Sequence, residues 1–395
     1  MSLRRNVVYL TLEKVVHTLG GLLGMVLVAR ELGPGALGDY GFAISLTAFF
    51  VPVLDLGMNN RLIKSVAGGA RVSDVLNEVL SYKLTVAPAV FFLMVVAGWV
   101  WGGVHLALPV LLIGASTIFM SAGDGGNAVF KGLQQAHLSF LVIGVLNVAL
   151  LVGLVVALHS GGGLVEVGWC YAVTRCGYAV MCLALLKRKC PDFRVSAKLG
   201  VDLNTMWSGL LHLPGVYYLG NLLYLSYLAT YVMSPVAAGV FYIGYRAAAA
   251  TYVLVSAGFE AVLAHAVSDG RRHTGLGVWF VTYGIIALLL LFLAAPLVVT
   301  VFGNDFGGSV RAIRLLASCV PPFALCGLAH TLLMAAHREQ FAFLVMAVLL
   351  VAGFGMAIVA EATFGTESTA LVPAVSATLA IVVLWFSLYR QTRPA

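Results

Sequence analysis

Glu13, Asp55, Asp124, Arg175 and Arg246 all fall inside long apolar runs of this chain. On insertion scales a charge at bilayer depth costs about 2.5 to 3.5 kcal/mol, so it faces a cavity or a partner. Spacing groups several of them. Glu13 and His17 lie four residues apart and share a helix face; Asp55 and Asn59 do the same, and Asn60 with Lys64 forms a second such pair around Arg61. Two chemistries suit these residue types. A guanidinium grips phosphate-type oxygens two at a time and never loses its proton, so Arg246 and Arg175 suit an anionic load. A carboxyl group held away from water can exchange a proton or bind Na⁺, which Glu13, Asp55 and Asp124 could do.

Each residue also has a structural reading. Arg175 and Asp124 could pair with one another, and Asp55 could serve a salt bridge or a helix terminus. Lys14, Arg61 and Lys64 could snorkel to the interface, and His212 and His330 could be proton relays or hydrogen-bonded packing. Arg246 is different, because the nearest acid on its own helix is Glu260, about 21 Å along the axis at about 1.5 Å per residue. Any ionic partner must therefore come from another helix.

The elements that position these groups must be membrane helices. Of 395 residues, 61% are hydrophobic and 10% are charged, against about 25% charged in soluble domains. Runs long enough to cross a bilayer predict twelve spans, at 7–29, 38–60, 84–101, 106–130, 138–158, 164–186, 204–229, 235–263, 277–302, 312–335, 341–360 and 368–388. The first follows MSLRRN as a signal peptide would, but Glu13, Lys14 and His17 interrupt it, so it reads as a retained helix. Alternate threading leaves Arg30, Arg311 and Arg314 on one side, Lys14, Arg175 and Arg246 within spans, and every other Lys and Arg on the opposite side. The positive-inside rule makes that second side, with both termini, cytoplasmic. The net charge of +7 is then a matter of topology and anionic lipid, and no nucleic acid is implied.

The basic interruption KRKCPDFRVSAKLGVDLN (187–204) divides the spans equally. The reading is an N-terminal lobe at 1–190, a cytoplasmic linker at 191–204 and a C-terminal lobe at 205–395. The halves echo one another in GPGALGDYGFA and SPVAAGVFYIG, which align Pro34, Gly38 and Tyr40 with Pro235, Gly239 and Phe241. Both stretches join the first and second spans of a lobe, as expected of a repeat about the membrane normal.

Several functions are disfavoured. The cluster GDGGNAVFKG lacks the Gly before Lys131 that a phosphate loop needs. The six cysteines show no metal spacing, so neither a metal nor a cofactor is expected. The tyrosines of VYYLGNLLYLSYLATY could stack on sugars or form an interfacial belt, with Tyr217 and Tyr218 open between the two.

With those residues in view, NVVYLTLEKVVHTLGGLLGMVLVARELGPGALGDYGFAISLTAFFVPVLDLGMNNRLIKSVAG resembles the opening of bacterial polysaccharide (O-antigen) flippases, in the multidrug/oligosaccharidyl-lipid/polysaccharide (MOP) exporter superfamily. AAGVFYIGYRAAAATYVLVSAGFEAVLAHAVSD and VVTVFGNDFGGSVRAIRLLASCVPPFALCGLAHTLLMAAHREQ resemble later helices of the same family. The resemblance implies an all-α membrane fold of about twelve helices in two six-helix lobes around a central cavity, MATE-like in form. It implies alternating access that moves an undecaprenyl-diphosphate-linked oligosaccharide across the bacterial inner membrane, with the polyprenyl tail left in lipid. It also implies a basic residue at the position of Arg246. The expected contacts with cargo are Arg246, Arg175, Arg61, Asn59 and Lys14; the expected ion-coupling groups, for a proton or Na⁺, are Glu13, Asp55 and Asp124. A polymerase or ligase of the same pathway is a possible partner. The competing functions are a drug/cation antiporter of the same superfamily, which the intramembrane bases disfavour, and a multi-spanning polymerase or ligase, for which no external connection is long enough to form a large catalytic loop.

Overall fold

In the computed structural model the described residues are 3–191, 193–194, 196, 200, 203–211, 213, 215–269, 275–336 and 338–390. Regular structure among them is helical. Lipid offers no partner for backbone N–H and C=O groups, and a helix satisfies them within one segment. The helices are α1 (Leu3–Phe49), α2 (Val51–Asp55), α3 (Met58–Ala67), α4 (Val72–Gly102), α5 (Val104–Gly132), α6 (Ala136–His159), α7 (Leu164–Lys189) and α8 (Leu203–Leu211). They continue with α9 (Gly215–Met233), α10 (Pro235–Asp269), α11 (Gly275–Phe302), α12 (Ser309–Ala317), α13 (Val320–Ala335), α14 (Glu339–Phe364), α15 (Thr366–Thr369) and α16 (Val372–Arg390).

Among the described residues nine stretches are long and apolar enough to cross a membrane. The first of them breaks at Gly33, where φ is 79°, and so supplies two crossings. Helices α9 and α10, of 19 and 35 residues, supply two more. The protein is thus an all-α integral membrane protein of about twelve spans. The face α6 gives to lipid is as apolar as the face it buries: Val145, Val148 and Val152 are exposed while Val142, Leu146 and Leu150 are buried. A soluble protein would not leave such a stripe uncovered.

The chain divides into two compact units, one made of 1–32 and 42–213, the other of 33–41 and 214–395. In the first, Leu62, Leu76, Val129, Phe130, Val142 and Tyr178 lie in a core drawn from α3 to α7. In the second, the two echoing motifs meet. A Cβ added to Gly239 would stand 2.1 Å from the Pro34 carbonyl oxygen and 3.1 Å from the Gly38 amide nitrogen, so only glycine lets α10 approach so closely. Rings close the contact, Tyr40 edge-on to Tyr242 at 6.1 Å and Tyr227 stacked on Phe241 at 6.5 Å. Tyr227 Oη donates to the Gly38 carbonyl at 2.6 Å, and Tyr231 Oη to Asp39 Oδ1 at 2.8 Å.

The run 38–60 is not one continuous helix. It breaks after Asp55, where Leu56 and Gly57 both take left-handed backbone (φ 42° and 70°). The region 312–335 also divides, into α12 and α13, with Pro321 and Pro322 in the first turn of α13. Prolines there lose no intrahelical hydrogen bond.

Candidate functional site

The first unit gathers its charges at the helix break. Asp55 ends α2, immediately before the left-handed Leu56 and Gly57 that lead into α3. Lys83 Nζ lies 3.6 Å from Asp55 Oδ1. The same ammonium donates to Asn59 Oδ1 at 3.0 Å and to the Ser121 carbonyl at 2.6 Å. Asp55 and Lys83 are only 5% and 4% exposed, so each is the other's compensation. Lys83 lies about 16 Å along α4 from its start, in a helix about 46 Å long at about 1.5 Å per residue.

Two neighbouring groups complete this polar interior. Asp124 accepts the Tyr178 hydroxyl at 2.8 Å and interacts electrostatically with Lys83. Glu13, on α1, pairs with Lys131 at 3.0 Å and accepts Ser139 Oγ at 2.5 Å and Asn127 Nδ2 at 3.4 Å. It thereby ties α1 to α5 and α6. Arg175 is partly exposed; it donates to Ser116 Oγ at 3.4 Å and lies over the Tyr171 ring at 5.0 Å. Lys14 is partly exposed too, and Arg61 pairs with Glu78 at 2.8 Å at an open surface. Asn59 is drawn into the Lys83 cluster. The side chain of Lys64, and the whole of His212, lie outside the described residues.

In the second unit Arg246 sits on α10, partly exposed, with its guanidinium carbon 6.0 Å from the centre of the Tyr242 ring. The phenols of Tyr40, Tyr224 and Tyr245 are also within electrostatic reach. No carboxylate among the described residues forms an ion pair with it. Tyrosine rings hold a guanidinium by their faces without neutralising it. The arrangement can therefore fix a cation and still leave it available to an anion. His330 is buried, 6.2 Å ring to ring from Tyr218, which is buried as well.

Two buried charges escaped the hydropathy reading. Lys83 falls one residue before the predicted span 84–101, which places it at the cytoplasmic surface, whereas α4 begins at Val72. Glu361 falls one residue after the predicted span 341–360, but α14 runs on to Phe364 and buries it. There its Oε2 accepts the hydroxyls of Thr369 at 2.7 Å and Thr230 at 3.2 Å. The available signal was position: each stands next to an apolar run with no turn residue in between.

Helices with lipid-facing apolar stripes, broken beside buried charge, define an all-α integral membrane protein with a polar interior. A family model described as Polysaccharide biosynthesis protein matches residues 3–200, half of the 395, and the chain belongs to that family. No curated protein matches it. Among solved structures it resembles an inward-facing multidrug resistance MATE family transporter of the MOP superfamily (TM-score 0.69, 13% identity, 96% of each chain covered). It also resembles an outward-facing transporter of that kind (0.64, 14%, 98% of this chain and 97% of the other) and the lipid II flippase MurJ in an inward closed conformation (0.66, 12%, 95% and 87%).

Proposed function

We propose that this protein is a flippase for a polyprenyl-diphosphate-linked oligosaccharide, an O-antigen or related surface-polysaccharide unit, working by alternating access in the bacterial inner membrane with both termini cytoplasmic. The observation that carries the reading is Arg246, a guanidinium held by tyrosines with no carboxylate paired to it among the described residues. A diphosphate supplies the missing negative charge and the oxygen geometry a guanidinium fork prefers. Arg175, Lys14, Asn59 and Arg61 are the candidate cargo contacts of the first unit. Glu13, Asp55 and Asp124 are the candidate coupling groups for a proton or Na⁺, and a polymerase or ligase would take up the exported unit. A cationic drug suits the protein less well, since Glu13 and Asp55 already hold lysines.

Deleting the gene tests the class and the cargo together. A lipid-linked glycan should accumulate on the cytoplasmic face, and an unchanged glycan pool would overturn the proposal. Neutralising Glu13, Asp55 and Asp124 in turn should yield at least one inserted variant whose transport no longer responds to collapse of the proton or Na⁺ gradient. If all three respond like the parent, the acids are structural. Reporter fusions at Lys198 and Gly162 should report opposite sides of the membrane.

A further inference from the structure

The helices facing lipid carry large aliphatic side chains outward: Leu293 on α11, Val351 on α14 and Val382 on α16 are each more than half exposed. The α9–α10 pair shows another surface. Along α10, Ala249 and Ala250 follow Arg246 by one turn and share its face; along α9, Gly220 precedes Tyr224 by one turn. All are partly exposed. A Cβ built on Gly220 would meet nothing within 4 Å. Small residues thus leave room beside one aromatic ring and one cation.

Tyr224 is the member of the tyrosine cluster that reaches this space, for Tyr40, Tyr227, Tyr242 and Tyr245 are buried. Its ring is braced from behind by Tyr245, 5.4 Å away at 57°. Tyr245 in turn packs on Tyr227 at 6.0 Å and Tyr242 at 5.5 Å. A ring fixed in this way loses little freedom when something stacks on it, which is the advantage of preorganisation.

We propose that Tyr224 is a specificity-determining residue, the platform on which the sugar next to the anionic group stacks while Arg246 holds that group. The inference rests on the reading of Arg246 as the anion anchor. A pyranose presents a face of C–H groups that an aromatic ring can cover, and the hydroxyls at its edge stay free for other partners. Tyr224 would then sense that a sugar is present, and Arg246 would sense the charge that all such lipids share.

Binding to the full chain in lipid nanodiscs separates the two roles. The probes are undecaprenyl diphosphate and the same lipid bearing one N-acetylhexosamine. The parent should bind the sugar-bearing probe more tightly, by roughly tenfold for one well-placed aromatic contact. Tyr224→Ala should weaken the sugar-bearing probe more than the sugar-free one and so remove that preference, while Tyr224→Phe should keep it. Arg246→Ala should weaken both probes together. Equal binding of the two probes by the parent, equal weakening of both in Tyr224→Ala, or loss of the preference in Tyr224→Phe would each overturn the role of Tyr224. Parental binding of the sugar-free probe by Arg246→Ala would instead overturn the anchor.

Discussion

The two units treat buried charge in opposite ways. In the first, Asp55 faces Lys83 and Glu13 faces Lys131, each pair within 4 Å and each bound by further amide, hydroxyl or carbonyl groups. In the second, Arg246 has phenols about it and no ion pair among the described residues. A compensated pair is cheap to hold and costly to divide. A cation near one ring face, with no ion pair among the described residues, keeps its charge available to an anion. The first arrangement suits structure and ion exchange, and the second suits recognition.

The sharpest way to break this contrast is to divide a pair. Lys83→Met leaves the Asp55 charge buried alone and should destabilise the protein by about 3 to 5 kcal/mol, seen as a lowered melting temperature and loss of inserted protein. Adding Asp55→Asn should restore most of the loss. A single variant that melts like the parent would remove the structural role of the pair. Arg246→Ala should do the reverse, sparing the inserted protein while slowing export. Two charge-assisted hydrogen bonds at about 1.5 to 3 kcal/mol each correspond to roughly two to four powers of ten in rate. Arg246→Lys should retain part of the activity, because it keeps the charge and loses the fork. Parental export by the alanine variant would leave the second unit without its defining feature.

Smaller effects sharpen the picture. Gly239→Ala forces a methyl group onto the Pro34 carbonyl, and overpacking of this kind costs about 1 to 3 kcal/mol; a thermal melt of the purified protein reads it directly. The smallest effect is expected at Arg311, whose pair with Glu367 is well exposed on both sides. Arg311→Ala should change stability by about 1 kcal/mol or less and leave export unaltered.

Much of this was legible beforehand. Arg175 and Arg246 announce themselves because the nearest other charges in the chain are Glu166 and Glu260, and the twelve runs follow from hydropathy alone. Lys83 and Glu361 do not, because a hydropathy window ends where a charge begins although the helix does not. The break at Leu56 and Gly57 was hidden for another reason. The apolar run continues through it, and hydropathy carries no sign of the left-handed backbone at Leu56 and Gly57. The surroundings of Arg246 were visible in part: the alanines after it suggested space, whereas the tyrosines come from α9, α10 and the stretch around Tyr40, which no local pattern brings together.

The stretch 33–41 packs as part of the second unit although it lies within the first half of the chain. During synthesis it leaves the ribosome long before Gly239, Tyr227 and Tyr231 exist to receive it, and it must wait for them. Two gene fragments divided at the 187–204 loop would therefore not be self-sufficient halves. The early fragment would carry a piece that belongs elsewhere, and the late one would present a bare glycine face until the other arrived.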